Sequence, residues 1–198
     1  MSKSETAKQI KNAFDFIQKL FNESSYLIKE IEGQLAENEY RFQILKTSGY
    51  AISGRSSNGL EANNVIFWLL RKFGVAFVEE TKTELKKGQN FTEINQDLKV
   101  IYIRVVLDDK NESAPQLIFG VFYEIEKHKD WIKKFENLMG QFEYVDNKMF
   151  AKFPNVDYED SNFKIKGKFK KVNLLDINSS DELIEKVINP VIKIYEGI

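Results

Sequence analysis

The chain has no cysteine, and His128 is its single histidine among 198 residues. Without cysteine there can be no disulfide, no thiolate zinc site, no iron–sulfur cluster and no cysteine nucleophile. One histidine likewise excludes a metal site built from several imidazoles. We therefore expect no cofactor, with Mg²⁺ considered only for a site made of carboxylates.

Long apolar runs are also missing from the chain. No stretch approaches the roughly 18 uninterrupted apolar residues of a membrane-spanning helix, and the opening MSKSETAKQIKNAF has no apolar run long enough for a signal peptide. These two absences predict a cytoplasmic protein without membrane contact. The enrichment in Lys, Asn, Ile and Phe is typical of a low-GC prokaryote or its phage.

Neither sign of charge dominates, because 29 lysines and arginines nearly balance 30 aspartates and glutamates. Bulk charge therefore favours neither nucleic acid nor a membrane, and any electrostatic site must be local. The chain is 42% apolar and 13% aromatic, which is enough to bury a real core. We predict a single domain over residues 39–198, preceded by a helical segment over residues 1–38.

That N-terminal segment carries the clearest pattern in the sequence. Apolar side chains recur there at alternating steps of four and three, with Ser24 as the one polar occupant. This spacing predicts an amphipathic helix over residues 6–37, and a break into two helices near residues 22–25 remains open. We call this set of side chains the apolar seam, and its members are Ile10, Phe14, Ile17, Phe21, Ile28, Ile31 and Leu35.

The remaining pattern predicts an α+β domain with a mixed, mainly antiparallel sheet of five to seven strands. The long N-terminal helix and two to three further helices are expected to cover this sheet. Residues 99–109 and 116–126 are apolar at nearly every central position, which predicts two adjacent strands buried on both faces. Before the central strands, the sequence predicts a helix over 60–73 ended by Gly74 and a strand over 75–80. After them, it predicts a helix over 128–140 that Gly140 ends and that has Trp131 on its buried stripe, followed by short strands at 142–145 and 149–153. The last predicted elements are an acidic loop over 155–162, a strand over 163–175 and a terminal helix capped by Ser179.

The segment FKIKGKFKK, residues 163–171, places four lysines on one face of a predicted strand. Successive lysines on this face lie about 6.6 Å apart, a spacing that could follow a nucleic-acid backbone. The alternative is an edge strand whose lysines prevent aggregation of sheets. A change of apolar parity after Lys171 predicts a bulge there. The lysines are Lys164, Lys166, Lys168 and Lys170.

Carboxylates follow the two central strands, and they suggest a second kind of site. The predicted order of helix, three strands, helix and strand over residues 60–146 is similar to the core of the PD-(D/E)xK nuclease superfamily. That resemblance implies acidic residues holding Mg²⁺ and a lysine assisting the attacking water. The family pattern places the lysine two residues after its acid, whereas Glu126 stands at that place here and the lysine follows one residue later. The candidate residues are Asp108, Asp109, Glu124, Glu126 and Lys127.

A third candidate is the loop SGRSSNG, residues 53–59, which precedes a predicted helix. Arg55, Ser56 and Ser57 could bind an anion at the positive end of that helix. The alternative is that Ser57 or Asn58 simply caps the helix.

No candidate forms a convincing catalytic constellation, so the apolar seam decides our leading hypothesis. We expect a non-enzymatic interaction protein whose N-terminal helix binds a second copy or another protein. The alternative function is nucleic-acid binding through the lysines, or Mg²⁺-dependent cleavage through the carboxylates. A plainer alternative is that the seam only covers the sheet of its own domain.

Overall fold

The computed structural model describes residues 3–44, 51–52, 71–80, 98–109, 112–132 and 135–198. Within these ranges it has a long N-terminal helix, a seven-stranded sheet and further helices, which confirms the predicted α+β class. The loop 53–59 and most of the predicted helix 60–73 lie outside the described residues. The elements are α1 (Lys3–Ala36), β1 (Phe42–Ile44), β2 (Ala51–Ile52), β3 (Lys72–Glu79), β4 (Val100–Val106), β5 (Gln116–Lys127), α2 (Phe135–Met149), β6 (Asn155–Glu159), β7 (Phe163–Asn173), α3 (Ser180–Leu183) and α4 (Asn189–Glu196).

The sheet has the strand order β1-β3-β4-β5-β7-β6, with β2 paired to the other end of β3. Every pairing among these strands is antiparallel. The predicted central hairpin is confirmed, because β4 pairs with β5 from Val106 opposite Gln116 to Val100 opposite Phe122. Gly74 lies inside β3, so the prediction that it ends a helix is wrong.

Two hydrophobic cores cover the two faces of this sheet. Alternate residues of β4 enter different cores, since Ile101 and Ile103 belong to one and Val100 and Tyr102 to the other. The first, which we call the α1-side core, also contains side chains of α1 and the C-terminal helices. The second, the α2-side core, contains side chains of α2 and β6. Strands buried on both faces need apolar residues at every position, which explains the apolar runs in the sequence.

The helix α2 runs from Phe135 to Met149, whereas residues 128–132 are not helical, so the predicted start at 128 is wrong. The strands predicted at 142–145 and 149–153 are wrong as well. Leu138, Phe142 and Met149 are all buried, and their spacing places them on one helical face against the sheet. Gly140 lies within the helix instead of ending it. Trp131 is 49% exposed, so its predicted place on the buried stripe is also wrong.

The segment predicted as an acidic loop contains the edge strand β6, which pairs with β7. Because β7 lies between β5 and β6, the interpretation of the lysine segment as an edge strand is wrong. The bulge predicted at Lys171 is wrong too, since the register runs regularly from Lys166 to Asn173. Phe169 faces the α2-side core, whereas Val172 packs against the α1-side core. The apolar side chains of β7 therefore change from one face of the sheet to the other without a bulge.

The C-terminal helical segment begins as predicted. The Ser179 hydroxyl caps α3 by accepting from the backbone N–H of Glu182 at 3.2 Å. A π-helical turn over Ile184–Ile188 then leads into α4, where Pro190 stands in the first turn. Proline lacks the donor that a regular helix needs, and a π-turn just before it accommodates that loss.

Candidate functional site

The helix α1 is continuous, without the break near residues 22–25 that the sequence left open. Its seam divides into two halves with different surroundings. Ile28, Ile31 and Leu35 are buried in the α1-side core. Ile10 is 55% exposed and Phe14 66% exposed, although both belong to the same stripe. The helix is therefore anchored by its C-terminal half and presents apolar side chains to water on its N-terminal half.

The boundary between the two halves lies at Ser24, the first buried side chain along α1. Its hydroxyl donates to the Leu20 carbonyl at 2.8 Å, which satisfies a polar group within the helical stripe. Phe21 and Ile17, one and two turns before it, are partly buried. We call residues 3–23 the N-terminal segment of α1.

The anchored half stands next to an aromatic cluster that joins the C-terminal helix to the sheet. The ring of Tyr195 lies 4.9 Å from Phe42 and 5.3 Å from Tyr40, measured between centroids. The Tyr195 hydroxyl donates to the buried Glu79 carboxylate at 2.8 Å. Burial, and then this hydrogen bond, raise the pKa of Tyr195 well above its usual value. Lys99 Nζ donates to the Tyr195 carbonyl at 3.0 Å, so packing and polar contacts together hold the C-terminal helix to the sheet beside α1.

The N-terminal segment also carries an exposed aromatic residue that the seam does not include. Phe16 is 68% exposed and lies beside Ala13 on the helix surface, off the seam. Sequence reasoning missed it because Phe16 breaks the spacing of four and three. The available signal was its spacing of three from Ala13, which makes the two side chains neighbours on the helix surface.

The candidate nuclease carboxylates are not brought together. Asp108 and Asp109 follow the end of β4, and antiparallel pairing places Glu124 and Glu126 beyond the other end of that strand. Six residues of strand separate those ends, so the two pairs lie more than about 20 Å apart. Ligands of one Mg²⁺ must all lie within about 2.1 Å of the ion. Among the described residues, no group of three acidic or histidine side chains could hold a metal ion.

These carboxylates have ordinary ion-pair partners instead. Asp108 lies 2.8 Å from the Arg71 guanidinium, measured between oxygen and nitrogen. Lys127 pairs across the sheet with Phe163, whereas Glu126 pairs with Lys164. Neighbouring positions on a strand face opposite sides, so Lys127 does not join Glu126 on one face. Lys127 therefore does not take the face of Glu126, the place at which the resemblance puts the lysine.

The four lysines of β7 do share one face, but two of them are paired with carboxylates. Lys166 Nζ lies 2.6 Å from Glu124, and Lys164 Nζ lies 3.4 Å from Glu126. The hydrogen bond with Glu124 raises the pKa of Lys166. Lys168 and Lys170 are exposed and have no carboxylate partner among the described residues. Of the four lysines on this face, only Lys168 and Lys170 therefore keep a positive charge that no described carboxylate offsets.

Glu124 makes this pairing from an unusual backbone position. Its φ is 47°, and the register between β5 and β7 shifts between Tyr123 and Glu126. One extra residue on β5 therefore forms a β-bulge, which turns the Glu124 side chain toward Lys166. The bulge lies on β5, the neighbour of the strand for which the sequence predicted one.

Asp160 organises the turn between β6 and β7. Its carboxylate accepts from the backbone N–H groups of Asn162 at 2.7 Å and Phe163 at 3.0 Å, and from the Tyr158 hydroxyl at 2.9 Å. Burial raises the pKa of Asp160, but these hydrogen bonds outweigh it and leave that pKa below its usual value. Burial and the same carboxylate raise the pKa of Tyr158 to about 12. Asp160 is therefore a structural carboxylate.

Arg55, Ser56 and Ser57, the predicted anion-binding residues, lie outside the described part of the chain.

The sequence matches no protein-family model, and no curated protein or solved structure matches the chain. In the described part of the chain, every helix is too short or too polar to cross a membrane.

Proposed function

We propose that this protein is a non-enzymatic interaction module, which binds a second protein chain through the N-terminal segment of α1. The observation that carries the proposal is the contrast within one helix. The same stripe is buried at Ile31 and Leu35 and exposed at Ile10 and Phe14. A partner chain that covers the exposed half would remove these side chains from water, as the sheet does for the other half.

The anchoring of the helix also supports this function. A short isolated helix is marginal in water, because its nucleation is unfavourable. The N-terminal segment extends a helix that Ile28, Ile31 and Leu35 already fix to the core. It is therefore formed before any partner arrives, and the ordering cost of association is reduced. We place this association in the cytoplasm, as the sequence predicts.

The alternative functions have less support. The carboxylates of the proposed nuclease site lie beyond opposite ends of β4, and two of the four lysines are already paired with carboxylates. No observation of the described residues favours nucleic acid over a protein partner.

Site-specific photo-crosslinking in cells tests the proposal. The photo-reactive residue p-benzoylphenylalanine would replace Phe14 in one variant and Tyr26 in the matched control. Both side chains are exposed to a similar extent, 66% and 65%, but they lie on different faces of α1. We expect covalent protein adducts from position 14 and none from position 26. Equal labelling at both positions, or no adduct at position 14, would contradict the proposal.

A further inference from the structure

We propose that the chain bound by the N-terminal segment of α1 is a second copy of this protein. The two helices would pair antiparallel, with the two-fold axis beside Ala13. This inference rests on the proposed function and names its partner. It makes the interface isologous, since the same surface of each copy contacts the other.

The length of the segment favours this arrangement. Residues 3–23 span about 31 Å at the rise of an α-helix, and residue 13 is their midpoint. An antiparallel pair centred there lets each helix follow the whole segment of its partner. The start of one helix then lies beside Glu23 of the other copy, just before Ser24, where burial begins. The two folded bodies stand at opposite ends of the pair and do not collide.

A parallel pair does not have this freedom. The seam continues without interruption from Phe14 to Ile28 and Leu35, where it faces the sheet of its own chain. If two parallel helices met through this stripe, their C-terminal halves would lie at the same end of the pair. The sheet of each copy would then have to occupy the space between the two helices at that end, and the two sheets would overlap.

The exposed side chains suit close contact around Ala13. Alanine allows two helix axes to approach closely, and Ile10 of one helix then lies beside Phe14 of the other. A phenylalanine side chain offers about 200 Å² of surface, so Phe14 and Phe16 each leave about 130 Å² in water at 66% and 68% exposure. Phe14 and Phe16 are two residues apart and lie on different sides of Ala13, so one partner helix covers only part of each ring. Four such rings therefore supply less than half of the roughly 1,000 Å² that a specific interface needs. Ile10, Ala13 and the partly exposed Ile17 add to this area, so we expect a dimer of micromolar affinity.

The charges of the segment agree with self-association. Residues 3–23 contain four lysines and three acidic residues, so two copies repel each other only weakly. The same balance gives an anionic lipid surface little to attract. The charged residues are Lys3, Lys8, Lys11, Lys19, Glu5, Asp15 and Glu23.

Sedimentation velocity of the purified full-length chain tests the dimer. We expect the mass to rise with concentration from 23.1 kDa toward twice that value. The double variant Ile10→Gln/Phe14→Gln should raise the dissociation constant at least tenfold, whereas Tyr26→Gln should leave it unchanged. A wild-type chain that stays monomeric up to about 200 µM, far above micromolar affinity, would overturn the inference. So would co-sedimentation of a monomer with anionic phosphatidylserine vesicles.

Cysteine cross-linking tests the antiparallel register, and the natural chain contributes no background thiol. Thr6 and Leu20 are equally distant from Ala13, so an antiparallel pair brings Thr6 of one copy beside Leu20 of the other. In a parallel pair these positions are about 21 Å apart, too far for a disulfide. A mixture of Thr6→Cys and Leu20→Cys chains should therefore form a mixed disulfide, while Leu20→Cys alone should not cross-link.

Cross-linking of Leu20→Cys to itself, without the mixed product, would indicate a parallel pair and overturn the inference. Ala13 lies beside the proposed axis, so an Ala13→Cys chain should form a disulfide with the same residue of a second Ala13→Cys chain. This control checks that cysteine variants still associate. If position 14 gives photo-adducts only with other proteins while the purified chain is monomeric, this inference fails and the proposed function stands. If position 14 gives no adduct at all, both fail.

Discussion

The contrast between the two halves of α1 predicts that two similar substitutions differ strongly in their effect on stability. Phe14 and Leu35 occupy the same position of the seam, three heptads apart. Leu35 is fully buried in the α1-side core, whereas Phe14 is 66% exposed. Replacing each with alanine therefore separates the contribution of burial from that of helical position.

Leu35→Ala leaves a cavity in the core and should cost about 2–5 kcal/mol of unfolding free energy. For a chain of this length each kcal/mol lowers the melting temperature by about 2–4 °C, so a loss of about 3 kcal/mol lowers it by roughly 6–12 °C. Phe14→Ala removes a ring that is mostly in water and gains up to about 0.7 kcal/mol of helix propensity. Its melting temperature should stay within about 2 °C of wild type.

Thermal unfolding followed by circular dichroism would measure both effects. The protein should be kept at or below about 1 µM, because association at higher concentration would stabilise the native state by mass action. A loss of more than about 2 kcal/mol for Phe14→Ala in the monomer would mean that the N-terminal segment is part of the core. That result would refute the division of α1 into an anchored and an exposed half.

Three further predictions concern other parts of the structure. Gly120→Ala should destabilise the protein severely in a urea titration, because a Cβ there would collide with the Lys168 carbonyl. Gly140→Ala meets nothing within 4 Å and should be neutral or stabilising by up to about 1 kcal/mol. Asp160 has a lowered native pKa, so its stabilising effect is present above the ordinary carboxyl pKa and is lost as the pH falls through the native value. In acid unfolding, Asp160→Asn should therefore be less stable than wild type at pH 7 and lose less stability on acidification. If the protein binds nucleic acid electrostatically, Lys168→Gln/Lys170→Gln should reduce the slope of log affinity against log salt by about 2, and an unchanged slope would exclude phosphate contacts by these two lysines.

The helix and the central strands could be predicted because their patterns are local. A seam of four and three steps identifies α1 wherever it packs, and apolar runs in β4 and β5 identify strands covered on both faces. The end of α2 could not be predicted in this way. Gly140 and the aromatic and β-branched residues that follow favour a helix stop and a strand by local propensity. Burial of Phe142 and Met149 against the sheet overrides that preference.

The surroundings of the candidate sites depend on contacts distant in sequence, which propensity does not report. Whether β7 is an edge or an interior strand depends on β6, a strand of five residues of which only Val156 is buried. The pairing of Lys166 with Glu124 depends on a bulge in a different strand. The point at which the seam leaves the core depends on how far the sheet extends under α1. The sequence predicts the stripe of α1, and the sheet determines how much of that stripe stays exposed.

The continuity of α1 makes it a mechanical lever. No hinge separates its exposed tip from the residues that hold it in the core. A tilt of about 5° at Ser24 would move a tip about 31 Å away by roughly 3 Å. In the reverse direction, a force applied at the tip becomes a torque on Ile28, Ile31 and Leu35, and through them on the sheet. A partner that binds the N-terminal end of this helix therefore also determines the orientation of the domain packed on its C-terminal half.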